Sequence, residues 1–231
     1  MRIVTWNCAG ALRRKTDALD ALGADVLVVQ ECEDPAHIGK SYAGWAGAYA
    51  WAGSRPSKGI GVFARNGLTI ERLGWKDRGL AQFLPVRIGD RFDLLAVWTQ
   101  AVVPSTYSYI GQFWKYLRLH KKALGADTLI CGDFNSNTIW DRKRRAWNHS
   151  ACVAQLDKAG FSSLYHLAAD EQQGVESRPT FYLYRNPEKP YHLDYVFAHR
   201  ERLPDGWAGL RVGDPAEWLS LSDHMPVIVD L

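Results

Sequence analysis

Short apolar runs, each closed by a polar residue, set the rhythm of this chain. Residues 2–6 are apolar and β-branched, which predicts a strand; it ends at Asn7, where Cys8, Ala9 and Gly10 turn the chain. Residues 15–22 place Thr16, Asp17 and Asp20 on one side, the pattern of a short helix with Gly23 as its C-cap. Residues 26–29 are continuously apolar, as in a strand buried on both faces, and end in Gln30 and Glu31. A strand–helix–strand unit of this length suits a crossover, which brings both strand ends to one side of one sheet. Residues 34–58 read as loop, with an exposed basic turn at 54–59. Strands follow at 60–64, 68–73, 82–88 and 92–98, the last two joined as a hairpin through Gly89 and Asp90, so the meander predicts antiparallel pairing.

Residues 105–123 predict an amphipathic helix, with Ile110, Phe113, Trp114 and Leu117 on its apolar face and Lys115, Arg118, Lys121 and Lys122 on the other. The apolar run at 127–131 is long enough for a buried strand and too short for a helix. It stops at Gly132-Asp133-Phe134-Asn135, where Asp133 and Asn135, two apart, point to the same side in extended backbone. A helix at 150–159 is stopped by Gly160, and strands are expected at 180–184, 191–198 and 227–231. In the 191–198 strand His192 and Asp194 share one face. No repeat, low-complexity tract or linker interrupts the sequence, so residues 1–231 are expected to form a single domain.

Composition narrows the class. A hydrophobic content of 47% and a charged content of 23% are those of an ordinary soluble globule. The net charge of +3 is compatible with a polyanionic partner. Ten tryptophans fill core and cleft walls or stack on bases. The four cysteines include no CxxC, and no Cys/His cluster has ligand spacing, so they read as reduced and buried and a structural zinc is not expected. No apolar stretch approaches the ~20 residues that span a bilayer, and the start reads as a strand and not a signal peptide, so a cytoplasmic location without membrane contact is expected.

The polar residues Asn7, Glu31, Asp133 with Asn135, Asp194 with His192, and Asp223 with His224 all close or flank apolar runs. Each alone has an ordinary structural reading; jointly they point to one site at the ends of several strands. The ordered set Thr5-Trp6-Asn7, Gln30-Glu31, Gly132-Asp133-Phe134-Asn135, Leu193-Asp194-Tyr195 and Ser222-Asp223-His224-Met225-Pro226 resembles the motifs of the endonuclease/exonuclease/phosphatase family, the metal-dependent phosphoesterases with a DNase-I-like fold. The resemblance spans nearly the whole chain. It implies an α/β four-layer sandwich: two mixed β-sheets packed face to face with helices outside.

Oxygen ligands such as these suit a hard divalent ion, Mg2+ or Mn2+, better than zinc. By the resemblance, Glu31 is the principal metal carboxylate with Asn7 beside it, and Asp223 is an ancillary metal or orienting acid. Asp133 positions or deprotonates the attacking water, Asn135 bonds the scissile phosphate, and His224 contacts the phosphate or transfers a proton, supported by an acid. Asp194 is expected to support the histidine, with the pairing of His224 left open between Asp194 and Asp223. The chain departs from the family where Trp98 stands in place of a phosphate-binding histidine or tyrosine. Trp98 reads as a hydrogen-bond donor, a stacking wall or a core residue, with Gln100 the alternative for the role. His192 stands where relatives carry another polar residue and is expected near the substrate.

Arg142, Lys143, Arg144 and Arg145 follow the Gly-Asp-Phe-Asn loop and are bracketed by Trp140 and Trp147. They read either as a rim that holds a polyanionic backbone, with Arg142, Arg144 and Arg145 as contacts, or as a solvated helix face. The leading expectation is a metal-dependent nuclease on DNA or RNA, acting as a monomer without an obligate protein partner. The alternatives are a phosphatase or phosphodiesterase on a small or lipid-derived phosphate and, last, an inactive binding module.

Overall fold

In the computed structural model, residues 1–80 and 82–231 are described. In chain order the strands are β1 (Arg2–Asn7), β2 (Val26–Cys32), β3 (Ala48–Arg55), β4 (Lys58–Ala64), β5 (Ile70–Arg72), β6 (Phe83–Ile88), β7 (Phe92–Trp98), β8 (Thr128–Asp133), β9 (Phe161–Ser163), β10 (Phe181–Tyr182), β11 (Pro190–Tyr191), β12 (Asp194–His199), β13 (Leu210–Val212) and β14 (Val227–Asp230). The helices are α1 (Thr16–Asp20), α2 (Pro35–Ile38), α3 (Lys40–Ala46), α4 (Ile110–His120), α5 (His149–Lys158), α6 (Leu164–Ala169) and α7 (Pro215–Trp218).

Two six-stranded sheets carry the fold. One runs β13-β14-β1-β2-β4-β3 and the other β5-β6-β7-β8-β12-β9. Each is mixed for the same reason: one parallel pair, β1–β2 or β7–β8, sits at its centre, and its other neighbours are antiparallel. A parallel pair needs a crossover, supplied by α1 in the first case and α4 in the second. Consequently β1, β2, β7 and β8 all run one way within their sheets, and their C-terminal ends bring Asn7, Gln30, Trp98 and Asp133 to strand mouths. Such mouths are where open α/β sheets place their sites.

The core forms in three layers. Between the sheets lie Ile3, Val28, Val62, Leu94, Leu129, Val196 and Val229, all at most 1% exposed. Outside the first sheet, Leu19, Tyr42, Ala46 and Trp218 of the short helices cover Val4, Leu27 and Trp6. Outside the second, Phe113, Tyr116 and Leu117 of α4 and Cys152 and Leu156 of α5 cover Leu95, Ile130 and Phe197. Helix, sheet, sheet and helix make the four-layer α/β sandwich. Each aliphatic side chain buried this way stabilises the fold by roughly 1.5–3 kcal/mol before entropy is charged. All four cysteines are free and buried. Among the described residues no helix is long and apolar enough to cross a membrane.

Several expectations are corrected. The 34–58 segment holds α2, α3 and β3 rather than loop. β3 was hidden because its residues alternate Ala with Tyr and Trp and end in Gly-Ser, a weak apolar signal, while pairing with β4 decides the outcome. The long helix expected at 105–123 shortens to α4, preceded by a turn of 3-10 helix at Ser105–Tyr107. The 191–198 strand begins at Asp194, so His192 lies outside it and does not share a face with Asp194.

Candidate active site

β8 is buried along its whole length, and its last residue, Asp133, is fully buried. Gly132 before it has φ +144, and a Cβ there would lie 1.9 Å from the Val97 carbonyl oxygen, so only glycine lets β8 close on β7 at this point. Phe134 after it is buried against Phe113, Tyr195 and Phe197, with ring centroids 4.8, 5.5 and 5.7 Å away. This aromatic anchor holds the acid before it and the amide after it in place at the mouth of the sheet.

The Asp133 carboxylate is surrounded by donors. Asn7 Nδ2 donates to its Oδ2 at 3.0 Å, Asn135 Nδ2 to the same oxygen at 2.8 Å, and the Asn135 backbone N–H to Oδ1 at 2.8 Å. Asn135 has φ 45, so Asp133 and Asn135 meet through a left-handed turn, not through extended backbone. Its amide also donates to the Thr99 carbonyl at 3.1 Å.

Antiparallel pairing sets Asp194, the first residue of β12, directly opposite Asp133. Two facing carboxylates repel, and His224 lies between them. Its Nδ1 is 2.9 Å from Asp194 Oδ2, and its Nε2 is 3.9 Å from Asp133 Oδ2. A carboxylate only accepts, so Nδ1 carries a proton toward Asp194 and Nε2 faces Asp133. This settles the open pairing: Asp194, not Asp223, holds His224. Thr180 Oγ1 fixes Asp194 in turn by accepting its backbone N–H at 3.0 Å and that of Leu193 at 2.9 Å. The His224 backbone is tied to the first sheet: Trp6 Nε1 donates to its carbonyl at 2.9 Å, and its N–H donates to Ser222 Oγ, which donates to the Asn7 carbonyl. The two sheets thus each contribute half of one hydrogen-bonded group.

Electrostatics follow from this packing. Burial pushes the Asp133 carboxyl up, His224 draws it down and Asp194 pushes it up again, and the net direction is upward. Burial would lower the His224 imidazole, but Asp194 and Asp133 outweigh it and hold it above its ordinary value. The cluster therefore keeps a cationic imidazole in a buried place. Asp194 Oδ1 is buried and has no hydrogen-bond partner among the described residues. Asp133, Asp194 and His224 each offer one ligand atom, all within 4.8 Å of one another, so this group could itself hold a metal ion.

Glu31 and Asp223 stand beside this group without bonding to it. Asn7 faces Gln30 across the β1–β2 pair, which puts Glu31 one residue further along, at a break in register and with φ 64. Its carboxylate meets Lys58 Nζ at 2.9 Å. Asp223 is partly exposed, with Oδ1 3.4 Å from Ser222 Oγ, whose proton goes to the Asn7 carbonyl. Asn7 Oδ1 accepts the Ala9 N–H at 3.0 Å and keeps a second lone pair.

Two expected contacts are corrected. His192 is 3% exposed, its Nδ1 bonds the Arg178 carbonyl at 2.8 Å, and its ring packs on Tyr165 and Tyr195; it faces away from the site. Trp98 is 4% exposed and belongs to the layer between the sheets, with Lys58 Nζ 5.6 Å from its ring centre. It is a core residue, not a stacking wall. Residues 142–145 form an exposed turn, not the alternative helix face; of the three arginines expected at a rim, Arg142 and Arg145 line a cavity that Asn135 also lines, and Arg144 is not in that lining. Phe181 was missed: its ring lies 4.6 Å from His224, and no polar pattern marks it. Lys58 was seen only as an exposed turn residue, and Tyr109, which lines the Asn135 cavity, only as part of a helix.

A buried acid–imidazole–acid group at the mouth of two packed sheets, with oxygen donors beside it, defines a hydrolase of phosphate esters. The chain belongs to the endonuclease/exonuclease/phosphatase family, whose model matches residues 4–224. Among solved structures it is similar to a 3' phosphatase from Neisseria bound to a product DNA hairpin, at 16% identity and a TM-score of 0.73, covering 100% of this chain and 99% of that one. It is also similar to an AP endonuclease from Archaeoglobus fulgidus, at 17% identity and 0.72 over 100% of both chains. The endonuclease domain of TRAS1, a telomere-specific non-LTR retrotransposon, matches at 17% and 0.65, covering 100% and 98%. No curated protein matches the sequence.

Proposed function

We propose that this protein is a divalent-metal-dependent phosphodiester hydrolase acting on nucleic-acid strands. The observation that carries the reading is Asp133: a fully buried carboxylate held by three N–H donors and facing an imidazole whose other nitrogen is fixed by a second acid. Hydrolysis of a phosphodiester needs an oriented water, a proton acceptor for it and positive charge facing the phosphoryl oxygens. Asp133 takes the proton. Its upward direction brings its proton affinity closer to neutrality, where a general base works best. Asn7 and Asn135 keep the carboxylate oriented; both hydrogens of the Asn135 amide are engaged, by Asp133 and the Thr99 carbonyl, so a bond from it to a phosphoryl oxygen would replace one of these. His224 would offer its Nε2–H to the negative charge that develops on the phosphoryl and leaving oxygens, and Asp194 holds the imidazole above its ordinary pKa and fixes its orientation.

The oxygen donors Asn7, Glu31 and Asp223 fit a hard cation such as Mg2+ or Mn2+ and would hold it beside Asp133. When bound, the cation neutralises charge on the phosphoryl oxygens. Glu31 meets one cation, Lys58, which stays 40% exposed. Arg142 and Arg145 at the rim favour a polyanionic strand over a small phosphate.

The test is hydrolysis by purified protein of single-stranded DNA, duplex DNA, RNA, bis-p-nitrophenyl phosphate and p-nitrophenyl phosphate, each in Mg2+, Mn2+ or EDTA. EDTA-sensitive cleavage of strands and diesters is expected. Cleavage of monoesters alone would move the assignment to a phosphatase, and no EDTA-sensitive hydrolysis at all would overturn it.

A further inference from the structure

A cavity of about 350 Å³ opens on the Asn135 side of the cluster, a size in the range of small-ligand pockets, roughly 300–1,000 Å³. Asn135 stands in its lining with Tyr109, Trp140, Arg142 and Arg145. Tyr109 and Trp140 are 44% and 48% exposed, so both present ring surface to the cavity they line. Tyr109 has φ 53 and ψ −119, a conformation that non-glycine residues adopt only under constraint, and its N–H is pinned to the Gln100 carbonyl at 2.8 Å. Trp140 leans on Tyr191 at 5.2 Å, Tyr191 on Phe181 at 6.3 Å and Phe181 on His224 at 4.6 Å, so a row of rings runs from His224 to the cavity wall.

The lining carries two arginines against one acid. That acid, Asp141, is held at the first turn of α5 by the His149 and Ser150 N–H groups at 2.8 and 2.9 Å, so one positive charge is left over. Arg142 and Arg145 therefore face the cavity as cations, beside flat aromatic surfaces and next to Asn135. A lipid headgroup or free phosphate would satisfy the arginines and leave the rings unused. A base in a duplex is already stacked on its neighbours and must be extruded, at a cost of a few kcal/mol, before it can enter a concave site.

We propose that the cavity seats one unpaired nucleotide next to the scissile phosphate, with its base against Trp140 and Tyr109 and its phosphate between Arg142 and Arg145. The inference rests on the nuclease reading above and adds to it a preference for single strands and frayed ends. Base–aromatic stacking contributes about 1–3 kcal/mol per base, which is roughly 5- to 150-fold in affinity.

The experiment is fluorescence anisotropy of the full-length protein in EDTA, where no turnover is needed. The probes are a labelled oligothymidylate and a strand of equal length built from base-free tetrahydrofuran nucleotides. The wild type is expected to bind the base-bearing strand at least about fivefold more tightly. Trp140→Leu should abolish that difference and leave affinity for the base-free strand unchanged, and Trp140→Tyr, which keeps a ring, should retain part of it. Arg142→Gln with Arg145→Gln should weaken both strands equally and lower the salt slope by about 1.4. Equal binding of the two strands by the wild type, or equal weakening of both by Trp140→Leu, would overturn the proposal. Base discrimination by a protein that hydrolyses no strand would support the subsite while overturning the hydrolase reading.

Discussion

Two groups of histidines and carboxylates are buried against β12, and they differ in what surrounds the imidazole. On one side His224 lies between Asp194 and Asp133 and is held above its ordinary pKa. On the other, His149, His166 and His192 gather around Tyr195 and Glu176. There burial lowers His149 to about 4 and lowers His192 too, and among the described residues their rings bond the Gln173 amide oxygen and the Arg178 carbonyl rather than a carboxylate. Glu176 is pushed up by burial but held at about 2 by His166, the Gly174 N–H and the Asn137 amide. His166 bonds Glu176 through Nε2 at 3.1 Å, while its Nδ1 meets Ser163 Oγ at 2.7 Å and Gln173 Nε2 at 3.2 Å. The difference lies in the balance of charges. Two acids to one imidazole give a charged, incompletely satisfied group at a strand mouth. One acid ringed by N–H donors gives a group with a single carboxylate charge that supports the loop through Asn137, with His149 Nδ1 and His192 Nε2 left without partners among the described residues.

That contrast predicts unequal responses. The largest is His224→Ala, expected to lower kcat for strand cleavage by about 10²- to 10⁴-fold with folding retained. The counterpart, His166→Ala, should leave kcat within about threefold and lower stability by about 1–3 kcal/mol through the unpaired Glu176 carboxylate. Thermal melts beside initial rates decide between them, and equal kinetic losses at unchanged stability would break the comparison.

Asp194→Asn is next. Losing the charge that raises His224 should move the alkaline limb of the pH–rate profile to lower pH, and an unmoved limb would deny Asp194 its role. The smaller effects concern pH and stability. Glu176 sits at about 2 when folded against an ordinary 4.5, so its contribution is present above pH 4.5 and is lost as pH falls toward 2. Glu176→Gln should flatten denaturation midpoints over that window. His149 is lowered to about 4 from 6.5, so the unfolded chain takes up its proton first and stability falls as pH drops from 6.5 toward 4. His149→Gln should reduce that slope with little change at pH 7.5. A steeper slope would mean that the ring is charged in the fold.

Much of the site was legible because its residues close apolar runs. Asn7 and Asp133 end buried strands, Asp194 begins one, Glu31 is the last but one residue of β2, and Ser222-Asp223-His224 lies two residues before β14. Strand periodicity therefore gave their positions, and the crossovers gave their common side. The pairing of His224 was not legible, because it depends on the register that sets Asp194 opposite Asp133. His192 misled for a related reason. The period-two pattern holds only inside a strand, and the strand begins at Asp194; the Tyr195 hydroxyl instead reaches back to the His192 carbonyl at 2.9 Å. Trp98 had the right position in sequence, but its side chain turns into the space between the sheets, a choice made by tertiary packing. The short helices α2 and α3 were missed because each is under two turns or little more, too short for a period to show.

The most direct measurement is the single-turnover rate of Asp133→Asn on a single-stranded oligonucleotide in Mg2+, set against its binding of the same strand in EDTA. A fall of at least about a hundredfold in rate, with wild-type circular dichroism and binding, is the predicted result for a general base. A near-normal rate in a folded, strand-binding variant would contradict the assignment of the site.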